Sequence, residues 1–183
     1  MSKVVIITGA SSGIGQGLAT LYAKAGYHCG LIARREPQLI ELKNELEQTT
    51  SVNVIIGVCD VSKKDAIFTC IQEMIDHFGR VDVLIANAGI SLASPAYNAT
   101  TDHFEKTIQI NVLGAGYCAY AVIPKMIEQQ SGHIAVISSL AGYRGLPEAG
   151  AYCASKSAVN ALFESMRLDL KKLNIGVSII RPG

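Results

Sequence analysis

The segment Tyr152-Cys153-Ala154-Ser155-Lys156 sets a phenol and an ammonium four positions apart in a run of good helix formers. Residues four apart lie on the same face of a helix. A tyrosine normally titrates near pH ~10, so forming its phenolate at neutral pH costs roughly 4 kcal/mol. A nearby positive charge favours the ionised form and reduces that cost. The pair is therefore suited to give or take a proton. The spacing also arises by chance, so its meaning depends on what the rest of the chain supplies.

The N-terminus supplies a second chemical element. Lys3-Val4-Val5-Ile6-Ile7-Thr8 is a short β-branched run, and Gly9-Ala10-Ser11-Ser12-Gly13-Ile14-Gly15 follows it. A helical pattern comes next, with Ile14, Leu18, Leu21 and Tyr22 as its apolar face and Gly26 as its end. This reads as strand, glycine-rich turn, helix. Glycines let the backbone turn sharply and let a pyrophosphate come close. The helix N-terminus then offers unpaired N–H groups and the positive end of its dipole. The spacing is Gly-x-x-x-Gly-x-Gly rather than the Gly-x-Gly-x-x-Gly of the standard dinucleotide fingerprint. A plain strand-turn-helix with convenient glycines is the alternative.

These residues need a scaffold, and the remaining pattern describes one. Strands are predicted over 28–33, 52–58, 81–86, 133–137 and 175–180. Helices alternate with them. One starts at Glu36-Pro37, with proline in a permitted first-turn position. Another starts near Ser62-x-x-Asp65, buries Ile67, Cys70, Ile71, Met74, Ile75 and Phe78, and stops at Gly79. A long helix is predicted from about Asp102 to Gln130, kinked or divided by Pro124, and a second from about Gly150 to Leu173. Repeated βα units imply α/β architecture, a parallel sheet with helices on both faces.

Thr8-Gly9-Ala10-Ser11-Ser12-Gly13-Ile14-Gly15, Asn87-Ala88-Gly89, Asn111, Ser139, Tyr152-x-x-x-Lys156 and Pro182-Gly183 occur in this order. Together they resemble the short-chain dehydrogenase/reductase family in its single-domain form, from Lys3 to Gly183. The resemblance implies a doubly wound parallel sheet (Rossmann fold) with six strands, in a single NAD(P)-binding domain over residues 1–183. It implies an oxidoreductase that transfers hydride between a nicotinamide cofactor and a carbonyl or alcohol. Members usually continue with a substrate-covering segment, a further helix and a seventh strand. None of these follows Gly183, so the chain reads as C-terminally truncated.

The same resemblance assigns residues. Tyr152 would be the general acid/base, and Lys156 would support it and bind the nicotinamide ribose. Ser139 would orient the carbonyl, with Ser138 as a local hydrogen-bonder. Asn111 would help hold a water connected to the lysine, or be a satisfied core amide. Gly9, Ser11, Ser12, Gly13, Ile14 and Gly15 would surround the pyrophosphate. Asp60 and Val61 would contact adenine, although Asp60 also suits a polar strand end. Asn87, Ala88 and Gly89 would let the cofactor lie against backbone, and Asn87 also suits a structural role. Pro182 and Gly183 would lie near the nicotinamide. Arg34 and Arg35 follow the second strand, where an acid suits NAD and an arginine suits the 2′-phosphate of NADP. NADP is therefore expected over NAD, with a solvated basic turn as the alternative.

Composition narrows the remaining classes. With 183 residues, 49% hydrophobic and 17% charged, the chain can bury a large core. A net charge of +1 gives no pull toward nucleic acid or an anionic membrane. No uninterrupted apolar run reaches the ~18 residues that span a bilayer. The start, Met-Ser-Lys and then a strand, does not read as a signal peptide, so a cytoplasmic protein is expected. Cys29, Cys59, Cys70, Cys118 and Cys153 are odd in number and lack Cys-x-x-Cys, which argues against disulfides and zinc. His28, His77, His103 and His133 match no catalytic position, and no metal site is expected. Leu92, Ala93, Leu140 and Leu146 flank the site and point to an apolar carbonyl or alcohol as substrate. Association is expected through the two long helices, using Ala115, Tyr117, Cys118, Ala121 and Val122. That gives a homodimer, or a tetramer for a longer natural chain. A cofactor-binding sensor or scaffold without turnover is the second reading. A sugar-nucleotide epimerase or dehydratase also uses Tyr-x-x-x-Lys, but the glycine spacing and length speak against it.

Overall fold

The computed structural model of the chain describes residues 2–93 and 95–182. Six strands form one sheet: β1 (Val4–Thr8), β2 (His28–Ala33), β3 (Val54–Val58), β4 (Val83–Ala86), β5 (Gly132–Ile137) and β6 (Ile175–Ile180). All pairings are parallel, in the order β3-β2-β1-β4-β5-β6. Every residue of β1 is buried, which is why it reads as an unbroken β-branched run rather than an alternating one. β1 pairs with β2 on one side and β4 on the other, so the winding reverses between β1 and β4. In such sheets ligands bind beyond the carboxyl ends of the strands at this switch point.

The helices close both faces of this doubly wound sheet. Helices α1 (Gly13–Lys24) and α2 (Glu36–Thr49) cover a core containing Val5, Ile7, Leu31, Leu39, Leu42 and Leu46. On the other face, α3 (Lys64–Phe78), α5 (Ala115–Gln129) and α6 (Gly150–Lys171) enclose Ile6, Ile67, Ile71, Val122 and Phe163. Each fully buried side chain of this size contributes roughly 1.5–3 kcal/mol. The expected stripe on α3 is buried at Ile67, Ile71, Met74 and Ile75, and Gly79 caps it at φ 74°.

Three expectations about the helices are corrected. First, α1 buries Gly15, Ala19 and Ala23 rather than Ile14 and Leu21, which are 50% and 64% exposed. A stripe of small residues lets this helix approach the sheet closely; larger side chains on it would hold it away. Second, the long helix is not broken at Pro124, which lies within α5. The irregularity comes earlier, between α4 (Thr101–Ile108) and α5, where Gln109–Gly114 winds as a π-helix around Asn111. Third, Ala115, Cys118 and Val122 are buried in the core and cannot serve as contact surface.

The continuous helical stretch Thr101–Gln129 has 29 residues and is long and apolar enough, by length and composition, to cross a bilayer. Half of its most apolar window is buried inside the protein, as in the core helix of a globular fold.

Candidate active site

The turn from β1 into α1 forms an open cradle. Gly9 and Gly13 both take positive φ, at 67° and 57°, where side chains are strained. A Cβ on Gly9 would come within 2.9 Å of Ala88 Cα, whereas one on Gly13 would meet nothing. Gly9 is thus needed for a close backbone approach, and Gly13 for the turn itself. Ser12 occupies the N-cap of α1 but does not cap it. Its hydroxyl instead accepts from Arg35 Nη2 at 2.6 Å. The side chain that would have satisfied the first N–H groups is turned away, and the first turn of α1 carries no acid. The helix end is left free to receive an anion.

This cradle opens into a cleft of about 440 Å³ lined by Gly9, Ser11, Ser12, Ile14, Arg34, Arg35, Asp60, Val61, Asn87, Ala88 and Gly89. Gly15, expected among them, does not line it. It is buried, and a Cβ there would collide with Gly9 O and lie 2.6 Å from Asn87 Nδ2. Gly15 lets α1 close onto the turn. Arg34 and Arg35 diverge in their partners. Arg35 bridges the turn, donating to Ser11 Oγ at 3.0 and 3.2 Å as well as to Ser12. The charge of Arg34 acts on Asp60. Burial pushes the Asp60 carboxyl up. Hydrogen bonds from Ser62 N and Oγ, together with Arg34 and Lys63, outweigh it and hold the group below its usual range. Ser62 therefore serves Asp60 and not the start of α3, whose N-cap is Lys63 without a side-chain bond.

Asn87 staples two strand ends together. Its Nδ2 donates to Thr8 O at 2.9 Å and Gly9 O at 3.3 Å. Thr8 Oγ1 accepts from the N–H groups of Asn87 and Ala88, both at 3.1 Å. Both hydrogens of the Asn87 amide are spent within the protein, so its contribution is to the shape of the cleft floor.

A second cleft, of about 360 Å³, shares Ile14, Asn87, Gly89 and Ile90 with the first and adds Ser91, Ile137, Ser138, Ser139, Tyr152, Lys156 and Pro182. The two form one trough across the carboxyl ends of β1, β4 and β5. Gly183 lies outside the described residues. Helix α6 carries Tyr152 and Lys156 on one face, with Lys156 Nζ 5.6 Å from the phenol ring centroid. Lys156 is 5% exposed and donates to Ile137 O at 2.7 Å. Burial pulls its ammonium down to about 8. Among the described residues the Tyr152 hydroxyl has no hydrogen-bond partner, and Lys156 has no second one. Both residues line the trough, and a Cβ on Gly89, which also lines it, would lie 3.7 Å from Nζ. Ser139 starts the short 3₁₀ turn Leu140–Gly142, and its hydroxyl accepts from Ala141 N at 3.1 Å.

Asn111 is buried and heavily engaged. Its Oδ1 accepts from Ile90 N at 2.8 Å, and its Nδ2 donates to Ile90 O and Ser155 Oγ at 2.9 and 3.0 Å. Ser155 Oγ in turn donates to Tyr152 O at 2.7 Å. Of the two expectations for this residue, the satisfied core amide is the one its side chain meets, with both Nδ2 hydrogens engaged. It ties the loop after β4 to the first turns of α6. Ser138 also departs from expectation. It is not a local hydrogen-bonder, since its hydroxyl donates to Asn160 Oδ1 at 2.7 Å, across to α6.

Sequence reading missed Ala33, Cys59, Ile90, Ser91 and Ile110 as lining residues. It also missed the support given by Thr8. Thr8 had a signal, as a hydroxyl ending an otherwise apolar strand; the others follow only from how strand ends converge. All five cysteines are free thiols, and among the described residues no group of histidine, cysteine and acid side chains could hold a metal. Cys29 and Cys70 are pushed up to about 12 by burial, so they are inert at neutral pH.

The trough fits a dinucleotide on the evidence of its own atoms: a glycine cradle, an uncapped helix N-terminus, two arginines at one end and a buried ammonium at the other. Comparisons with known proteins agree. The short chain dehydrogenase family model matches residues 3–183. An uncharacterized oxidoreductase of Myxococcus xanthus is 38% identical over 181 residues, covering 99% of this chain and 71% of that protein. An NAD⁺-bound xylitol dehydrogenase superposes with a TM-score of 0.95 at 34% identity, over 99% of this chain and 70% of that one. An alcohol dehydrogenase from Thermococcus sibiricus, complexed with 5-hydroxy-NADP, also gives 0.95, at 31% identity, over 100% of this chain and 77% of that one. A doubly wound sheet, a dinucleotide trough and a family match along nearly the whole chain lead to one conclusion: this protein is a member of the short-chain dehydrogenase/reductase family, oxidoreductases that use nicotinamide cofactors.

Proposed function

We propose that the chain is an NADP-dependent oxidoreductase that interconverts a carbonyl and an alcohol. The observation that carries this reading is one trough in which an unpartnered tyrosine hydroxyl, a serine hydroxyl and a buried ammonium sit beside a phosphate cradle. The cofactor would supply and accept hydride. The chain's own residues do the rest. Tyr152 Oη gives its proton to the substrate oxygen in reduction and takes it back in oxidation. Lys156, held by Ile137 O, stabilises the negative charge this leaves on the phenol oxygen, and its remaining hydrogens would be available to the nicotinamide ribose. Ser139 Oγ donates to the same substrate oxygen. Asn111 acts at one remove, through Ile90 and through Ser155 to the Tyr152 backbone.

Cofactor choice rests on Arg34 and Arg35, both at the mouth beyond β2. A guanidinium matches a phosphate in charge and fork geometry, and among the described residues neither arginine forms a direct ion pair with an acid side chain. Substrate class rests on the segment after Ser139, where Leu140, Tyr143 and Leu146 are 53%, 67% and 42% exposed. Such a wall suits an apolar carbonyl or alcohol. Five free thiols suit a reducing compartment, and we place the protein in the cytoplasm.

Tyr152→Phe tests the mechanism. The change removes one hydroxyl that has no partner among the described residues, so folding and cofactor affinity should stay within about two-fold. Turnover of an apolar ketone with NADPH should fall by about 10²- to 10⁴-fold. Retention of most of the rate would show that the proton comes from elsewhere.

A further inference from the structure

We propose that Asn160 is a positioning residue, which clamps the turn that begins at Ser139 onto the helix that carries Lys156. The proposal rests on the reading of Ser139 given above. Asn160 lies one helical turn beyond Lys156 on α6 and is 8% exposed. A buried amide in a helix interior needs partners. Asn160 finds them just after β5, at Ser138, and at the end of the following turn, at Gly142. Its Oδ1 accepts from Ser138 Oγ at 2.7 Å, and its Nδ2 donates to Gly142 O at 3.4 Å. Ser138 is 3% exposed and immediately precedes Ser139. Gly142 is the last residue of the 3₁₀ turn that Ser139 starts. One side chain therefore grips the turn at both ends.

The surroundings are built for this grip. A Cβ on Gly142 would sit 2.5 Å from Asn160 Nδ2 and 3.0 Å from Lys156 O, so the turn packs directly on the helix. Ser157, exposed on the same helix, donates a second bond to Gly142 O at 3.0 Å. Among the described residues the Ser139 hydroxyl has only the bond from Ala141 N, while its carbonyl accepts from Gly142 N at 3.1 Å. Its hydroxyl is aimed by the backbone around it, and that backbone is held to α6 through Ser138 and Gly142. Asn160 is not among the residues that line either cleft.

Two measurements test the role. In the cofactor-free protein, amide hydrogen exchange of the segment 139–143 reads the clamp without any turnover. Asn160→Ala should lose protection there while β5 and the remainder of α6 keep theirs. Unchanged protection overturns the proposal whether or not the protein is an enzyme. In steady-state kinetics with NADPH and an apolar ketone, Asn160→Ala should lower kcat by about 10- to 100-fold, as for a displaced catalytic group, with cofactor Kd unchanged. In a Ser139→Ala background the same change should cost no more than about two-fold, because sites that act as one unit are not additive. A full, additive loss in that background, or a loss of cofactor affinity equal to the loss of kcat, overturns it. Ser157→Ala keeps the question open to refutation if Asn160→Ala does not fold. It removes one exposed hydroxyl and should loosen the same segment to a smaller degree; no loosening counts against the clamp. If the unmodified protein shows no turnover and Ser139→Ala changes nothing, the functional reading fails while the exchange result still decides the clamp.

Discussion

Two glycines two residues apart on α1 should respond in opposite directions to the same substitution. Gly17 is exposed in the helix interior, and a Cβ there meets nothing within 4 Å. Alanine is favoured over glycine in a helix by about 0.8–1 kcal/mol, so Gly17→Ala should stabilise the fold by roughly that amount. Gly15→Ala gains the same backbone term. Its Cβ, however, would collide with Gly9 O and lie 2.6 Å from Asn87 Nδ2 and 2.9 Å from Gly9 C. Two of these three are backbone atoms of the cradle and cannot rotate away. Overpacking in such a site costs about 1–3 kcal/mol or more, which outweighs the helix term. Net destabilisation by about 1–2 kcal/mol is expected, with the turn displaced by the clash. Because that turn is the proposed phosphate cradle, NADPH affinity should fall by about ten-fold or more, a loss of roughly 1.4 kcal/mol. Urea unfolding without cofactor measures the first effect, and fluorescence titration of NADPH the second. If Gly15→Ala were as stable as Gly17→Ala and bound NADPH normally, the close approach of α1 to the turn would be wrong.

Stability should also depend on Lys156. Its folded value is about 8 against an ordinary 10.5. Below about pH 8 both states carry the proton and the native state bears the desolvation cost. Between about pH 8 and 10.5 only the unfolded state holds it, so stability rises with pH by about 3 kcal/mol. Comparison with Lys156→Met, which should lack this rise, isolates the group in urea titrations across that window. NADPH should bind more tightly than NADH by about 1.5–3 kcal/mol, the worth of a charge-assisted contact. Titration of both cofactors checks this, and removing Arg34 and Arg35 together should erase the difference; equal affinities in the unmodified protein would refute it. A homodimer is expected at micromolar concentration by light scattering. Helices α4, α5 and α6 expose Phe104, Tyr120 and Leu168, the last at 74%, and the π-helical turn between α4 and α5 exposes Leu113. Leu168→Lys should shift the population toward monomer, and a monomer in the unmodified protein would end the idea.

Much of the fold was legible in the chain because it depends on local pattern. Buried parallel strands are β-branched runs, and β1, β2 and β6 lie where those runs lie, with β3, β4 and β5 shifted by only one or two residues. Gly79 and Gly26 mark chain turns at positive φ, a conformation glycine adopts without strain. The juxtaposition of Tyr152 and Lys156 follows from helical spacing alone. Other features depend on contacts distant in sequence. The buried face of α1 could not be read from apolar residues, because close packing on the sheet selects Gly15, Ala19 and Ala23 for small size rather than for hydrophobicity. The π-helix at Gln109–Gly114 belongs to Asn111, which must reach Ile90 and Ser155 at separations of 21 and 44 residues. Arg34 and Arg35 looked equivalent as neighbours, yet only Arg35 reaches Ser11 and Ser12, on a loop brought alongside by strand pairing. Asn160 carried no signal at all, since its partners Ser138 and Gly142 meet it only once the turn after β5 packs on α6. By itself the sequence determined which side chains are candidates for the chemistry and which elements bear them, since both depend on side-chain type and short-range spacing. Tertiary structure alone decided which groups are already spent on each other and which stay free in the trough, because hydrogen-bond capacity is allotted only where strands and helices converge.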